Sequence, residues 1–115
     1  MGKAANSSIS LKQIHVTDNF WNKYVHLVKD VIIPYQWDIL NDKLEDVETS
    51  HCIENFKIAA GEKEGEFQGA VFQDTDVAKW LEAVGFVLNY ERDEKLEELA
   101  LSLIHISEPT RRSYI

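Results

Sequence analysis

Gln73, Asp74 and Asp76 stand together immediately before an apolar pattern with helical spacing that begins at Val77 and includes Trp80. Side-chain oxygens at a helix start accept hydrogen bonds from free N–H groups of the first turn, and carboxylates complement the positive end of the helix dipole; a cap of this kind contributes about 1 kcal/mol. The alternative interpretation is that the rigid helix holds Gln73 and Asp74 at the open mouth of a site, where they bind a ligand. Residue types alone favour capping over binding.

Cys52 is the single cysteine of the chain, so a nucleophilic thiol and a packed thiol are its two possible roles. Ile53, Phe56 and Ala60 share its predicted helical face, and apolar burial raises the pKa of a thiol. The pattern therefore favours packing. The four histidines, at positions 15, 26, 51 and 105, lack the i, i+4 spacing of a helical metal-binding pair, so the sequence predicts no metal site.

Hydrophobic periodicity predicts a first helix over about residues 19–33, which Pro34 ends or kinks, and a second helical segment over 35–41 with Trp37 inward. Residues 9–16 alternate loosely between apolar and polar, which suits a short strand if a sheet is present. The inward face expected of the first helix consists of Trp21, Tyr24, Val25, Val28, Val31 and Ile32.

Three more helices are predicted along the rest of the chain. Ser50 is expected to cap the first of them and Gly61 to end it, and another helix runs from about Thr75 to Asn89. Asp93 then caps a last helix that is antiparallel to its predecessor. The inward residues expected of these last two helices are Val77, Trp80, Leu81, Val84, Leu96, Leu99 and Leu103.

The composition indicates one globular domain or a piece of one: 115 residues, 20 acidic against 12 basic side chains and a formal net charge of −8. This excess of negative charge argues against nucleic acid and against a membrane surface as partners. No apolar run approaches the roughly 20 residues needed to span a bilayer, and residues 1–10 lack the apolar core of a secretory signal. We therefore expect a cytoplasmic protein with a disordered lead over residues 1–8.

Three sequence blocks, in the same order, resemble the N-terminal part of glycoside hydrolase family 127, the β-L-arabinofuranosidases. They are IPYQWDILND at 33–42, SHCIENFKIAAGE at 50–62 and GEFQGAVFQDTDVAKWLEA at 65–83. The resemblance extends over about residues 16–100. It implies an all-α fold built from helical hairpins, in which residues 9–100 form the opening part of an (α/α)6 barrel.

The resemblance also implies a chemistry. The resemblance implies a retaining, exo-acting enzyme that removes terminal β-L-arabinofuranosyl residues from glycans. Such an enzyme uses a cysteine nucleophile, a glutamate and a bound zinc ion. A metal of this kind lowers the pKa of a coordinated thiol. The catalytic groups of the family lie downstream of the residues matched here. Cys52 therefore inherits no catalytic role, and we expect this chain to bind no zinc.

Loops and helix starts converge on the site in helical barrels of this type, which makes Gln73, Asp74 and Asp76 the candidate substrate-binding residues. Carboxylates and amides suit sugar hydroxyls because each can pair with two of them. His51 is a weaker candidate, with a capping or loop-anchoring role as the alternative. Trp37 and Trp80 are able to stack on sugar faces, but their places on apolar helical stripes favour core packing.

The end of the chain departs from the family. Residues 101–111, LSLIHISEPTR, resemble the translation of a transposase mosaic end followed by a sequencing adapter, so we predict that residues 101–115 are an adapter-derived tail. A fragment ending near Ala100 is expected to be inactive and to self-associate through exposed apolar faces. The alternative hypothesis is a small acidic helical protein-interaction module, complete as it stands and without enzymatic activity.

Overall fold

A computed structural model describes the backbone of residues 7–112 and the side chains of residues 7–108. Most of the predicted disordered lead, residues 1–6, and the last three residues of the predicted tail lie outside this range. The described part is all-α, as predicted, and none of its helices combines the length and apolar character needed to cross a membrane. The helices are α1 (Asn19–Leu27), α2 (Ile33–Leu40), α3 (Cys52–Ala59), α4 (Asp74–Tyr90) and α5 (Glu94–Arg112).

The strand predicted over residues 9–16 is wrong, because Leu11–Gln13 form a short 3-10 helix instead. The Ser10 hydroxyl accepts a hydrogen bond from the Lys12 N–H at 3.3 Å and starts this turn. A lone strand is not stable without a partner, and the described residues offer no other strand. The segment is attached to α4 by a hydrogen bond of 2.9 Å from the Val16 N–H to the Tyr90 hydroxyl.

Pro34 does not end the first helix. A π-helical segment, Val28–Ile32, joins α1 to α2, and Pro34 lies in the first turn of α2. The Ile33 N–H donates to the carbonyl of Val28, five residues back, so this turn is wider than an α-helical one. Because proline lacks an N–H and crowds the preceding turn, a wider turn lets the helical path continue. Residues 19–40 therefore form one helical stretch.

The helix α4 lies at the centre of the fold, where it contacts α2, α3 and α5. The Trp80 indole is buried and its Nε1 donates to the Ile33 carbonyl at 3.1 Å, which satisfies its polar atom. The inward faces predicted for α4 and α5 are confirmed, since each of their residues is buried or packs against the core. The buried apolar residues are Ile33, Leu40, Cys52, Ile53, Val77, Trp80, Val84, Leu96, Ala100, Leu103 and Ile106.

Residues 101–112 continue α5 without a break. Leu103 is fully buried and Ile106 nearly so, whereas Ile104 is exposed. The apolar spacing of this segment is sufficient to extend the helix onto the core, whatever the origin of the segment. The predicted adapter origin stays a prediction.

The inward face predicted for α1 is wrong, because no residue of α1 is buried. Trp21 is 60% exposed and Tyr24 44% exposed. A groove of about 460 Å³ separates α1 from Phe86 and Tyr90 of α4, and its walls are almost entirely apolar. The sequence specified an apolar face correctly, but no helix in the described part of the chain covers it.

Candidate functional site

Asp42 holds the start of α3 in place of Ser50, the predicted cap. One carboxylate oxygen of Asp42 accepts from the Ser50 N–H at 2.6 Å, and the other accepts from the His51 N–H at 3.1 Å. Asp42 also ends α2 in a left-handed conformation, with φ of 57°, which aspartate tolerates better than most residues. One aspartate therefore links the end of α2 to the start of α3. Its partners are eight and nine residues away, so no local capping spacing revealed this contact.

The start of α4 has no side-chain cap. Asp74 and Asp76 lie in its first turn and are exposed, and neither carboxylate accepts from a first-turn N–H group. The capping bond predicted for them is therefore absent, and their charges act only on the helix dipole. The hydroxyl of Thr75 donates to the Phe72 carbonyl at 2.8 Å. Asp74 consequently presents a carboxylate to solvent with no partner among the described residues.

The loop that leads into α4, residues 65–73, is fixed to α3 at two places. The Asn55 side chain donates to the Gln68 carbonyl at 2.7 Å and accepts from the Gln68 N–H at 3.0 Å. The Cys52 thiol donates to the Gln73 carbonyl at 3.0 Å. This loop therefore has a defined position relative to the start of α3.

The Gln73 side chain folds back onto the same loop. Its Oε1 accepts from the Ala70 N–H at 2.9 Å. Gly69 is required beside it, since its φ is +95° and a Cβ there would lie 2.1 Å from Gln73 Oε1. The amide nitrogen of Gln73 makes no hydrogen bond among the described residues, so it is free to donate to a ligand.

Three helix ends meet around Cys52: the end of α2 and the starts of α3 and α4. Burial is the main cause that raises the pKa of the Cys52 thiol, and the negative charges of Asp76, Asp42 and Asp74 raise this pKa further, against a hydrogen bond from Ser50. The packing role predicted for Cys52 agrees with its exposure of 1%. We call these three carboxylates, together with His51 and Gln73, the acidic end.

The four sequence-predicted site residues share the acidic end but not one cavity. Asp76 pairs with Lys79 at 3.8 Å and faces a cavity of about 440 Å³ between α2 and α4. His51 lines a separate cavity of about 160 Å³ beside Glu54. Gln73 and Asp74 line neither of these two cavities. The structure therefore distributes the four predicted residues over the acidic end without gathering them into one pocket.

Three exposed apolar residues of the same loop, Phe67, Val71 and Phe72, were not predicted as site residues. Val71 is 86% exposed and Phe72 is 68% exposed, directly before Gln73. The available signal was the apolar run AVF inside a loop otherwise rich in glycine and glutamate. Side chains of this type in an exposed loop are typical of binding sites.

Trp37 and Trp80 belong to the core, as predicted. Their ring centroids are 4.8 Å apart at an interplanar angle of 37°. Trp80 is buried, and Trp37 is partly buried and packs against the core cluster. Neither ring lies at the acidic end as a free stacking surface.

The zinc–thiolate centre implied by the family resemblance does not fit the residues present. Cys52 is the single cysteine in the sequence, and its thiol is buried and donates to a backbone carbonyl. Burial raises the pKa of this thiol, which opposes the thiolate form that a metal or a substrate carbon requires. We therefore derive no catalytic step through zinc or through Cys52.

Comparisons with known proteins agree with this architecture. The family described as β-L-arabinofuranosidase, GH127 catalytic domain, matches residues 13–110. A non-reducing end β-L-arabinofuranosidase of Bifidobacterium longum subsp. longum is 37% identical over 98 residues, which cover 75% of this chain and 15% of that protein. The crystal structure of a GH127 β-L-arabinofuranosidase from Geobacillus stearothermophilus T6 matches with a TM-score of 0.80 and 53% identity.

That structural match covers 84% of this chain and 15% of the Geobacillus protein, so the chain spans about one seventh of the length of either relative. The family match, over residues 13–110, includes the helices that build the acidic end. The chain therefore belongs to glycoside hydrolase family 127, and its helices are part of the α/α-barrel catalytic domain of that family.

Proposed function

We propose that this chain is part of a retaining, exo-acting β-L-arabinofuranosidase and that its acidic end contacts the terminal L-arabinofuranosyl residue of a glycan. Support for exo action comes from the Bifidobacterium relative, which is described as acting at the non-reducing end. Support for the contact comes from the exposed carboxylate of Asp74 at the start of the central helix α4. This carboxylate is the single observation on which the proposal chiefly depends.

The chemistry of the acidic end suits a small polyol. The carboxylate of Asp74 is able to accept from two neighbouring hydroxyl groups, and such charge-assisted hydrogen bonds are about twice as strong as neutral ones. The amide nitrogen of Gln73 makes no hydrogen bond among the described residues and is able to donate to a sugar oxygen. Phe72 offers an exposed ring to the apolar C–H face of a sugar. Asp76 and His51 are further candidates at the acidic end.

The position of Asp74 is rigid, which is what a binding group needs. Its helix packs on three neighbours, and the preceding loop is fixed to α3 through Asn55 and Cys52. A group held in place before the ligand arrives loses little conformational entropy on binding. Substrate binding at this end therefore needs no rearrangement of α4.

Hydrolysis requires residues other than those of this chain. Cys52 is buried and protonated, so it supplies no nucleophile. We expect the pure 115-residue protein to release no phenol from an aryl β-L-arabinofuranoside. Measurable release by the pure chain would contradict the assignment of catalysis to residues elsewhere in the domain, and its loss in Cys52→Ala would identify Cys52 as the source.

Binding is tested by NMR titration of the 15N-labelled chain with methyl β-L-arabinofuranoside. We expect amide shift changes concentrated in residues 71–76 and lost in Asp74→Ala. Asp30→Ala is the matched control. Asp30 is also an exposed helical aspartate, but it pairs with His26 and lies far from Asp74 in the sequence. Shift changes outside residues 71–76, or equal changes in both variants, would contradict the proposed contact.

A second interpretation, an acidic helical interaction module, is favoured by one observation. Phe20, Trp21 and Tyr24 form an exposed aromatic cluster on α1, with the Phe20 centroid 5.0 Å from Trp21 and 5.3 Å from Tyr24. Exposed apolar surface of this kind drives association. We propose that the isolated chain self-associates through this cluster. Light scattering after gel filtration tests this proposal, and a monomer at all concentrations would contradict it.

A further inference from the structure

A cluster of three possible metal ligands lies beside the proposed sugar contact. Asp42, His51 and Glu54 each place one ligand atom within 4.8 Å of the other two. These residues lack the i, i+4 histidine spacing of a helical metal site, so the sequence alone did not indicate this group. One imidazole and two carboxylates form a donor set suited to divalent first-row transition metals.

The imidazole of His51 is the most informative member of this cluster. It is half-buried, and no hydrogen bond or ion pair of its ring is present among the described residues. Asp42 and His51 are also the two non-glycine residues with positive φ in the described chain, at 57° and 61°. Their conformations bring the end of α2 and the start of α3 to the same point.

The charges around the cluster attract a cation. Glu54 already pairs with the ammonium group of Lys63. Glu64, Glu66 and Lys63 line the cavity of about 160 Å³ that His51 and Glu54 also line, and Asp42 lies beside it. This cavity has room for a metal ion and its water ligands. Asp42 Oδ1 accepts from both the Ser50 and the His51 N–H groups, whereas Oδ2 accepts only from His51 and keeps a further lone pair, so capping is compatible with metal coordination through Oδ2.

We propose that Asp42, His51 and Glu54 form a binding site for a divalent transition-metal cation such as Zn²⁺. The site differs from the zinc–thiolate centre of the family because it contains no sulfur. Bound metal replaces the Lys63 ammonium as the partner of Glu54 and joins α2 to α3. Since the metal binds the folded chain, it raises the melting temperature as its concentration increases.

Isothermal titration calorimetry of the untagged chain with Zn²⁺ tests this site, with Ca²⁺ in parallel. We expect one saturable Zn²⁺ site per chain and no comparable Ca²⁺ binding, because an imidazole ligand favours Zn²⁺. His51→Asn keeps a residue that tolerates positive φ, and it should weaken Zn²⁺ binding by at least about tenfold, as should Glu54→Gln. Lys63→Met removes the competing cation and should strengthen binding severalfold.

His26→Asn is the matched control. His26 lies 3.6 Å from Asp30 in an exposed i, i+4 pair without a third ligand, so its loss should leave the affinity unchanged. In histidine-selective NMR spectra, Zn²⁺ should shift the ring signals that disappear in His51→Asn. No saturable binding, an unchanged affinity in His51→Asn, or a loss in His26→Asn equal to that in His51→Asn would each overturn the proposal.

Discussion

The helices α1 and α4 carry tryptophan and valine residues at similar helical spacing, yet their apolar faces end in opposite environments. Trp80 of α4 is 3% exposed and donates to the Ile33 carbonyl, whereas Trp21 of α1 is 60% exposed beside an open groove. Three helices pack on α4, but no described helix covers the face of α1. Spacing therefore identifies an apolar face, and the partner decides whether this face is buried.

The largest expected effect tests this comparison directly. Trp80→Ala should lower the free energy of unfolding by about 3–5 kcal/mol, because it leaves a large cavity and the Ile33 carbonyl without its donor. Trp21→Ala should change it by less than about 0.5 kcal/mol, as is usual for exposed positions. Urea unfolding followed by circular dichroism measures both values. Equal losses in the two variants would show that α1 is packed as tightly as α4.

The same contrast between partnered and unpartnered groups applies to two aspartates near the end of α2. Asp42→Asn should cost about 1–2 kcal/mol, since the Ser50 and His51 N–H groups lose a charged acceptor. Asp38→Asn is the control, because the half-exposed Asp38 side chain makes only one long ion pair, at 3.9 Å, with the exposed ammonium of Lys43. Its expected cost is close to zero. A larger cost for Asp38→Asn than for Asp42→Asn would refute the linking role of Asp42.

Local patterns predicted the parts of this fold that depend on local physics. The periodicity of α4 and α5 identified buried residues as far as Leu103, and Gly61 has the left-handed conformation expected of a helix end, with φ of 81°. Asp93 caps α5 as predicted, accepting from the Leu96 N–H at 3.1 Å. These features require only neighbours within one or two helical turns.

Contacts between distant residues could not be predicted in this way. The Asp42 cap on α3 and the Asn55 contact with Gln68, 13 residues away, carry no spacing signal. The grouping of Asp42, His51 and Glu54 depends on how two helix ends meet. Sequence patterns identified Gln73 and Asp74 as candidate site residues. Only the fold shows that these two residues do not line the cavity of His51.

A smaller effect is expected where the loop before α4 contacts α3. Asn55→Ala removes two hydrogen bonds to Gln68 and should cost about 1 kcal/mol. Hydrogen exchange of the Gln68 amide should become faster, while amides in the middle of α4 remain protected. Lys57→Ala, an exposed change on the same helix, should leave the loop unaffected. An unchanged exchange rate at Gln68 in Asn55→Ala would contradict a fixed loop.

The smallest effect concerns the pH dependence of stability. Folding raises the pKa of the Cys52 thiol above its ordinary value of 9.0. The protonated thiol therefore contributes its full stabilisation below pH 9.0, and this contribution is lost as the pH rises through the folded-state pKa. The melting temperature should therefore fall more steeply above about pH 9 in the unsubstituted chain than in Cys52→Ala. Parallel slopes in the two proteins would show that Cys52 ionises freely when folded.

Whether Asp74 contacts the sugar is tested most directly in an enzymatically active chimera. Residues 13–100 of this chain, which lie before the predicted adapter-derived tail, replace the matching part of the Geobacillus stearothermophilus enzyme, which the 53% identity and TM-score of 0.80 make feasible. Asp74→Ala in this chimera should lower kcat/KM for an aryl β-L-arabinofuranoside by about 10- to 100-fold, the value of one charge-assisted hydrogen bond. Asp30→Ala should leave it unchanged. Equal kcat/KM values in the two variants would contradict the assignment.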